Sequence, residues 1–259
     1  MSEILVEKRR RVLWVTINRP ERRNAMNDEV LTGIGKALLD AESDAEVRAV
    51  VLTGAGDKAF CAGADIKDAG EDAKVVFAAE DKDHPMIEMF RVVERCHKPL
   101  IARVNGHAMG GGMGLVCMCD LVVAADHAKF ATPEAKIGVF PVMILCVLLP
   151  QIPLRKLKEM AFTAEPLTAR QAQEFGIVNQ VVASEQLDAV LENLLDKILA
   201  NSPAALQLGK EVFQAMQNMS LEERFKYAQP MIARLAETDD AQEGFTAFLQ
   251  KRKPNWDVG

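Results

Sequence analysis

Apolar residues occur along this chain in two patterns, short continuous runs and longer runs with a helical period. The short runs are bounded by glycine, polar or charged residues, and they predict strands at residues 4–6, 12–17, 49–53, 100–104 and 121–125. Because basic residues 8–11 separate the first two runs, we predict that these two strands form a hairpin.

Helical periodicity is found between these strands and after them. Asn27 is predicted to cap a helix that continues to Glu42. Its predicted buried stripe is Val30, Leu31, Ile34, Leu38 and Leu39. Further helices are predicted at residues 71–96, from 113, and at 185–200, 203–217, 220–236 and 238–251, with an extended stretch at 177–182. The alternation of strand, glycine-containing loop and helix favours an α/β fold.

The composition is typical of a globular protein and bears on its partners. The formal net charge of −6 argues against nucleic-acid binding through phosphate contacts. The first residues contain no basic segment followed by an apolar one, so we predict no signal peptide. The longest apolar run, residues 139–150, is about half of the roughly 20 residues that a membrane-spanning helix needs. We therefore expect a cytoplasmic protein with neither membrane nor nucleic-acid partners.

The five cysteines form no C-x-x-C pair, and we expect free thiols in apolar surroundings. One stretch contains several residue types that can bind a metal, namely His107, Cys117, Cys119 and Asp120. Their spacing is not that of a zinc site, and the two cysteines have apolar neighbours. We therefore predict no metal site.

Two glycine-rich loops, residues 60–66 and 105–114, follow apolar strands, and the second leads into a helix. Glycine allows the backbone to approach a ligand closely, and the N–H groups at a helix N-terminus favour an anion. Two such loops facing each other would form a neutral hole for an oxyanion. Alternatively, the glycines only form turns, or G-x-G-x-x-A at residues 54–59 belongs to a dinucleotide-binding fold, although Gly63 interrupts any helix there.

A set of motifs spans nearly the whole chain. They are N-R-P through N-A-M at residues 18–26, F-C-A-G-A-D-I at 60–66, K-P-L-I-A and V-N-G at 98–106, G-G-G at 110–112, C-D at 119–120, F-A-T-P-E at 130–134 and F-G-I-V-N at 175–179. In these motifs and their order the sequence resembles the crotonase superfamily, the enoyl-CoA hydratase/isomerase group.

The resemblance implies an α/β fold of stacked β-β-α turns with a helical C-terminal region. Residues 1–195 would form an acyl-CoA-binding core, and residues 196–259 would serve oligomerisation and cover the active site. Acyl-CoA thioesters are the implied substrates, with coenzyme A as part of the substrate and without a metal or redox cofactor. A homotrimer or hexamer is the implied assembly.

The resemblance also implies roles for individual residues. The N–H groups of Ala64 and Gly111 would stabilise the oxyanion, and Glu134 would transfer a proton. The residues implied to bind CoA are Ala62, Asp65 and Ile66 at the adenine end, Arg22 or Arg23 at the phosphates, and Phe248 and Lys251 from a neighbouring subunit. For Lys251 the alternative is a solvated helix end.

One departure from the family pattern bears on the reaction. Hydratases of the family use two glutamates, and the position of the first is Gly114 here. Two carboxylates together activate water and protonate carbon, whereas a single one can move a proton between two carbons. We therefore expect Glu134 to act alone, with a raised pKa, and we favour double-bond isomerisation. The alternatives are hydration, decarboxylation, a replacement acid from Asp68, Glu71 or Asp72, or a non-catalytic acyl-CoA-binding protein.

Bulky apolar residues at 140–146 predict a hydrophobic wall beside the acyl group, which Met113 and Met143 could adapt to an irregular chain. Core packing is the alternative for this segment. His107, in the second loop, is expected to be structural rather than a catalytic base.

Overall fold

The computed structural model describes residues 2–66 and 84–256. Its larger sheet has six strands, which are in spatial order β1 (Ile4–Arg9), β2 (Val12–Ile17), β3 (Ala49–Gly54), β5 (Leu100–Val104), β7 (Leu121–Ala125) and β10 (Gln180–Val182). The strands β1 and β2 form the predicted antiparallel hairpin, and every other neighbouring pair is parallel. The carboxyl ends of the parallel strands, and the loops that follow them, therefore lie at one edge of the sheet.

A second, smaller sheet lies beyond that edge. Its strands are in spatial order β4 (Ala59–Cys61), β6 (His107–Met109), β8 (Lys129–Ala131) and β9 (Leu167–Thr168). Each of β4, β6 and β8 follows a strand of the larger sheet after a short loop, and these three strands are parallel to one another. A long strand, a short strand and then a helix thus recur along the chain. The predicted stack of β-β-α turns is confirmed.

Helices cover the sheets and form the end of the chain. They are α1 (Asp28–Ser43), α2 (Pro85–Arg95), α3 (Gly111–Met118), α4 (Val142–Leu148), α5 (Leu154–Thr163), α6 (Ala169–Glu174), α7 (Leu187–Leu199), α8 (Pro203–Met216), α9 (Leu221–Ala236) and α10 (Asp239–Leu249). The Asn27 side chain accepts a hydrogen bond from the Val30 N–H, as predicted for the cap of α1. The predicted place of Leu39 on the buried stripe is wrong, because its side chain is 57% exposed.

The helix predicted at residues 71–96 is described only in its last part, as α2. Met86, Met89, Phe90 and Val93 form the buried face of that helix. Its predicted first part, with Asp68, Glu71 and Asp72, lies outside the described residues. Within the described part of the chain, no helix combines the length and the apolar character needed to cross a membrane.

The helix α7 packs on the larger sheet, whereas the helices after it expose large apolar side chains. Leu187, Leu191, Leu195 and Ile198 of α7 belong to one apolar cluster with sheet residues such as Trp14. The division predicted after residue 195 falls inside α7, and the C-terminal region after α7 consists of the helices α8, α9 and α10. On this region Phe213, Phe225 and Phe248 are 80%, 60% and 82% exposed.

Candidate active site

Three segments meet where the chain leaves the short strands β4, β6 and β8. These segments contain Gly63, Gly110 with Gly111, and Glu134. A Cβ atom placed on Gly63 would lie 3.4 Å from the Gly111 nitrogen, and one placed on Gly110 would lie 3.0 Å from Oε1 of Glu134. The fold thus brings together the two glycine loops and the carboxylate that the sequence singled out.

The first loop is held against the segment before α1 by backbone hydrogen bonds. The Ala62 N–H donates to the Arg23 carbonyl, the Met26 N–H donates to the Gly63 carbonyl and the Asp65 N–H donates to the Met26 carbonyl. In such a pairing successive N–H groups alternate in direction. The Ala64 N–H, which lies between the bonded groups, therefore points away from the Met26 segment, and none of the backbone hydrogen bonds among described residues uses it.

The second loop ends in a helix start that places an N–H group beside Gly63. Gly110 has φ +53°, a conformation that glycine adopts without a Cβ clash, and α3 begins at the next residue. The Gly111 N–H is the first of that helix, so it has no acceptor within the helix. At Gly112 a Cβ atom would collide with the Cys61 carbonyl oxygen, so a side chain there would separate the two loops.

Glu134 lies in a single 3-10 turn, Pro133–Ile137, immediately after β8 and Thr132. Its carboxylate is half-buried, and its Oε2 atom is buried without a hydrogen-bond partner among the described residues. Desolvation raises the pKa of Glu134 above the ordinary value of 4.5, and its own backbone N–H opposes the shift. The expected rise in pKa is confirmed in direction, and the unbonded oxygen has lone pairs with which it can accept a proton.

The position of Gly114 is enclosed by apolar side chains. A Cβ atom there would lie 3.0 Å from Cγ2 of Ile144 and 3.1 Å from Cζ of Phe90. Both residues are buried. The space beside α3 at position 114 is therefore filled by two hydrocarbon groups.

The predicted apolar wall at residues 140–146 is only partly formed, because most of the segment is the helix α4. A helix presents one face to the core, and in this segment Ile144 is on that face, while Met143 is half-buried. The side chains of Phe140 and Val142 are 42% and 66% exposed. Met113 is fully buried within the core.

Contacts with coenzyme A stay predictions, but the structure limits the groups that could make them. The N–H groups of Ala62, Asp65 and Ile66 all donate to carbonyls of the protein, so of the backbone groups at these three positions only the carbonyl oxygens could meet a ligand. The carboxylate of Asp65 is buried in an ion pair. Arg22 and Arg23 are exposed beside the first loop, and Phe248 and Lys251 are exposed at the far C-terminal end.

His107 has no visible role in proton transfer. Its backbone N–H donates to the Lys58 carbonyl, and its ring centroid lies 6.3 Å from that of His127. Burial, together with nearby positive charge, lowers the pKa of His107. The cysteines Cys117 and Cys119 are buried thiols, and burial raises the pKa of Cys117 to about 12. Neither thiol is therefore suited to reaction at neutral pH.

Three residues that shape the site were not assigned roles from the sequence. They are Arg19, Asn24 and Phe90. Arg19 and Asn24 belong to the recognised motif at residues 18–26, and that motif was the available signal. Phe90 had no such signal, because an apolar residue that lines a site has the same pattern as one in the core.

Comparison with known proteins identifies the family of this chain. Residues 7–258 match the family model described as enoyl-CoA hydratase/isomerase. A short-chain-enoyl-CoA hydratase of Clostridium acetobutylicum is 33% identical over 98% of this chain and 97% of its own length. A 2,3-dehydroadipyl-CoA hydratase of Escherichia coli is 35% identical over 99% of each chain.

A solved enoyl-CoA hydratase from Bacillus anthracis is 30% identical, covers 99% of this chain and 100% of its own, and superposes with a TM-score of 0.91. The dinucleotide-fold alternative is wrong, because Gly54 and Gly56 lead into the strand β4 and not into a helix. The chain belongs to the enoyl-CoA hydratase/isomerase family and has the crotonase fold of those enzymes.

Proposed function

We propose that this enzyme binds an acyl-CoA thioester with the thioester oxygen between the N–H groups of Ala64 and Gly111, and that Glu134 moves the proton. The observation that supports this most is the half-buried Glu134 carboxylate beside Gly110 and next to the two glycine loops, with one oxygen that has no hydrogen-bond partner among the described residues. Removal of a proton from the α-carbon would place negative charge on the thioester oxygen. Two amide donors in a site with little water would stabilise that charge.

The raised pKa suits Glu134 to this role. A carboxylate that is a weaker acid than usual is a stronger base. The difference between its pKa and that of the weakly acidic α-carbon is therefore smaller. The same desolvation means that few polar groups compete with the substrate for the Glu134 carboxylate. When Glu134 is protonated, its negative charge is lost and an equal charge appears on the enolate. The two amides and the N-terminal end of α3 would stabilise that charge.

Double-bond isomerisation is the reaction that this arrangement favours. Glu134 would take a proton from the α-carbon of a 3-enoyl thioester and return it to the γ-carbon of the dienolate, so that the mass is unchanged. No second carboxylate is needed for this transfer. Phe90 and Ile144 beside Gly114 favour it further, because they offer water no polar partner on that side and suit an apolar acyl group.

Hydration is the second candidate, and the names of the relatives favour it. The Clostridium and Escherichia proteins are both named hydratases. In this chain Glu134 would then have to activate water and also direct the proton to the α-carbon. Decarboxylation, which needs the same enolate, is the third outcome to be distinguished.

The remaining contacts are proposed by resemblance. Arg22 or Arg23 would meet the CoA phosphates, and the carbonyls of Ala62, Asp65 and Ile66 would accept from the adenine amino group. Phe248 and Lys251 would reach the CoA of a second copy of this chain in a homotrimer or hexamer. Their exposure is compatible with that role.

A panel of 2-enoyl and 3-enoyl CoA thioesters, followed by mass spectrometry, tests the proposal. A shifted double bond at unchanged mass identifies an isomerase, the gain of one water a hydratase, and the loss of carbon dioxide a decarboxylase. Incubation of a saturated acyl-CoA in heavy water should introduce deuterium at the α-carbon, and Glu134→Gln should abolish this exchange. Tight binding without any exchange or turnover would contradict the proposed function.

A further inference from the structure

Arg19 is a buried cation at the base of the first glycine loop. Its side chain is 6% exposed, and its Nη2 atom lies 2.8 Å from Oδ2 of Asp65, whose side chain is 5% exposed. Its Nη1 atom donates to the Ala25 carbonyl at 2.7 Å, and its Nε atom lies 3.1 Å from Oε1 of Glu3. The guanidinium therefore contacts three separate parts of the chain.

Two of those contacts lie on opposite sides of one backbone pairing. Ala25 belongs to the segment before α1, and Asp65 belongs to the first loop. The two segments are joined by the bonds from the Met26 N–H to the Gly63 carbonyl and from the Asp65 N–H to the Met26 carbonyl. Arg19 thus contacts both of the paired segments. Their pairing is an isolated parallel bridge between Met26 and Ala64.

We propose that Arg19 is a positioning residue, which fixes the direction of the Ala64 N–H through its buried ion pair with Asp65. This inference rests on the proposed function and adds a residue that does not touch the reacting atoms. The Ala64 N–H belongs to the Gly63–Ala64 peptide, which lies between the backbone hydrogen bonds of Gly63 and Asp65 to Met26, so a shift of Asp65 relative to Met26 changes the direction of that N–H through Ala64. A planar guanidinium with several fixed donors restrains such a rotation better than a single-point cation does.

The alternative to be excluded is that the ion pair only stabilises the fold. Breaking a buried pair leaves an unmatched charge and is destabilising wherever the pair lies. A loss of activity alone therefore does not distinguish the two roles. Two quantities must therefore be measured on folded protein, the turnover rate and the hydrogen exchange of residues 61–66.

Asp65→Asn is the primary variant, because it keeps the shape of the side chain and removes its charge. Arg19→Met and the double variant complete a mutant cycle. Lys210→Met is the matched control, since Nζ of Lys210 lies 2.7 Å from Oδ2 of Asp120 and its side chain is 10% exposed. That pair lies at the amino ends of β5 and β7, on the edge of the sheet away from the site.

For each variant we would measure the melting temperature, kcat and KM for the thioester found active in the panel, and hydrogen exchange of the peptide that covers residues 61–66. We expect kcat of Asp65→Asn and Arg19→Met to fall about 10- to 100-fold with KM changed less than threefold, as for a misdirected oxyanion donor. Exchange in the loop should accelerate. The double variant should be no worse than the poorer single one. Lys210→Met should lower only the melting temperature.

If folded Asp65→Asn has the same kcat and the same loop exchange as the unmodified enzyme, the inference is overturned. It is also overturned if Lys210→Met loses as much kcat as Asp65→Asn when the two variants have the same melting temperature. If the unmodified enzyme proves inactive on every thioester, the proposed function fails separately. The loop exchange of Asp65→Asn compared with Lys210→Met then still decides whether Arg19 orders the loop.

Discussion

Replacing Glu134 by glutamine separates catalysis from stability, because it should lower kcat without lowering the melting temperature. Glutamine has nearly the same shape but cannot accept the α-proton. General acid–base assistance is typically worth about 10²–10⁴-fold, and this site offers no second carboxylate at Gly114. We therefore expect kcat to fall by about 10³-fold or more, which corresponds to about 4 kcal/mol in the activation free energy.

The stability effect follows from the direction of the pKa shift. Desolvation raises the pKa of Glu134 above 4.5, so the ionised form is less favourable in the folded protein than in the unfolded chain. This penalty is absent well below pH 4.5. It grows as the pH rises from the unfolded towards the raised folded pKa, and it is fully present above the folded value. At neutral pH, Glu134→Gln should therefore leave the melting temperature unchanged or higher.

The assay is turnover of the active thioester at saturation between pH 4 and pH 8, with melting curves recorded in the same buffers. The rate of the unmodified enzyme should rise with pH as Glu134 loses its proton, with a midpoint above 4.5. Glu134→Gln should be slow and nearly independent of pH in this range. A loss of less than about fivefold, or a loss explained by a lower melting temperature, would refute the assignment of Glu134 as the base.

Three further substitutions follow from the packing. Gly114→Glu alone should crowd Ile144 and Phe90 and yield little activity. Gly114→Glu combined with Ile144→Ala should increase the addition of water to a 2-enoyl thioester, measured by mass spectrometry. No gain in the double variant would place this position away from the substrate. Asn24→Ala should lower the free energy of unfolding by about 2–4 kcal/mol in a urea titration. The buried Asn24 side chain bonds to three backbone groups, and the residue has φ +56°, which alanine adopts less readily than asparagine. A loss below about 1 kcal/mol would contradict this. Phe225→Asp should reduce the assembly mass in light scattering without unfolding the chain, and an unchanged mass would argue against an apolar contact there.

The elements and loops that could be predicted from the sequence are those set by local rules. Asn27 caps α1 because its side chain meets an N–H group within the same helical turn. Gly110 and Gly111 form a helix start because glycine permits the required φ and a helix leaves its first N–H groups unbonded. Such features need only neighbours in sequence, and the glycine loops and the carboxylate motif were recognisable for that reason.

The features that could not be predicted depend on partners that are distant in sequence. Residues 140–146 read as a continuous apolar wall, but a helix buries only one of its faces, and which face that is depends on α3. Ile144 meets Gly114, whereas Val142 faces outward. The Arg19 side chain had no predicted role, because an arginine is normally exposed and its partner Asp65 lies on another loop.

The absence of a carboxylate at position 114 and the presence of hydrocarbon around it are separate facts, and together they constrain the chemistry more than either alone. A glycine in an open, wet cleft would leave room for water or for an acid from another segment. Here Ile144 and Phe90 lie 3.0 and 3.1 Å from where a side chain would begin, which is closer than ordinary contact, so on this side neither a water molecule nor a carboxylate would find a polar partner. Under the proposed function, the described residues therefore favour proton transfer by Glu134, and we predict that the acyl carbons that lie against α3 are apolar.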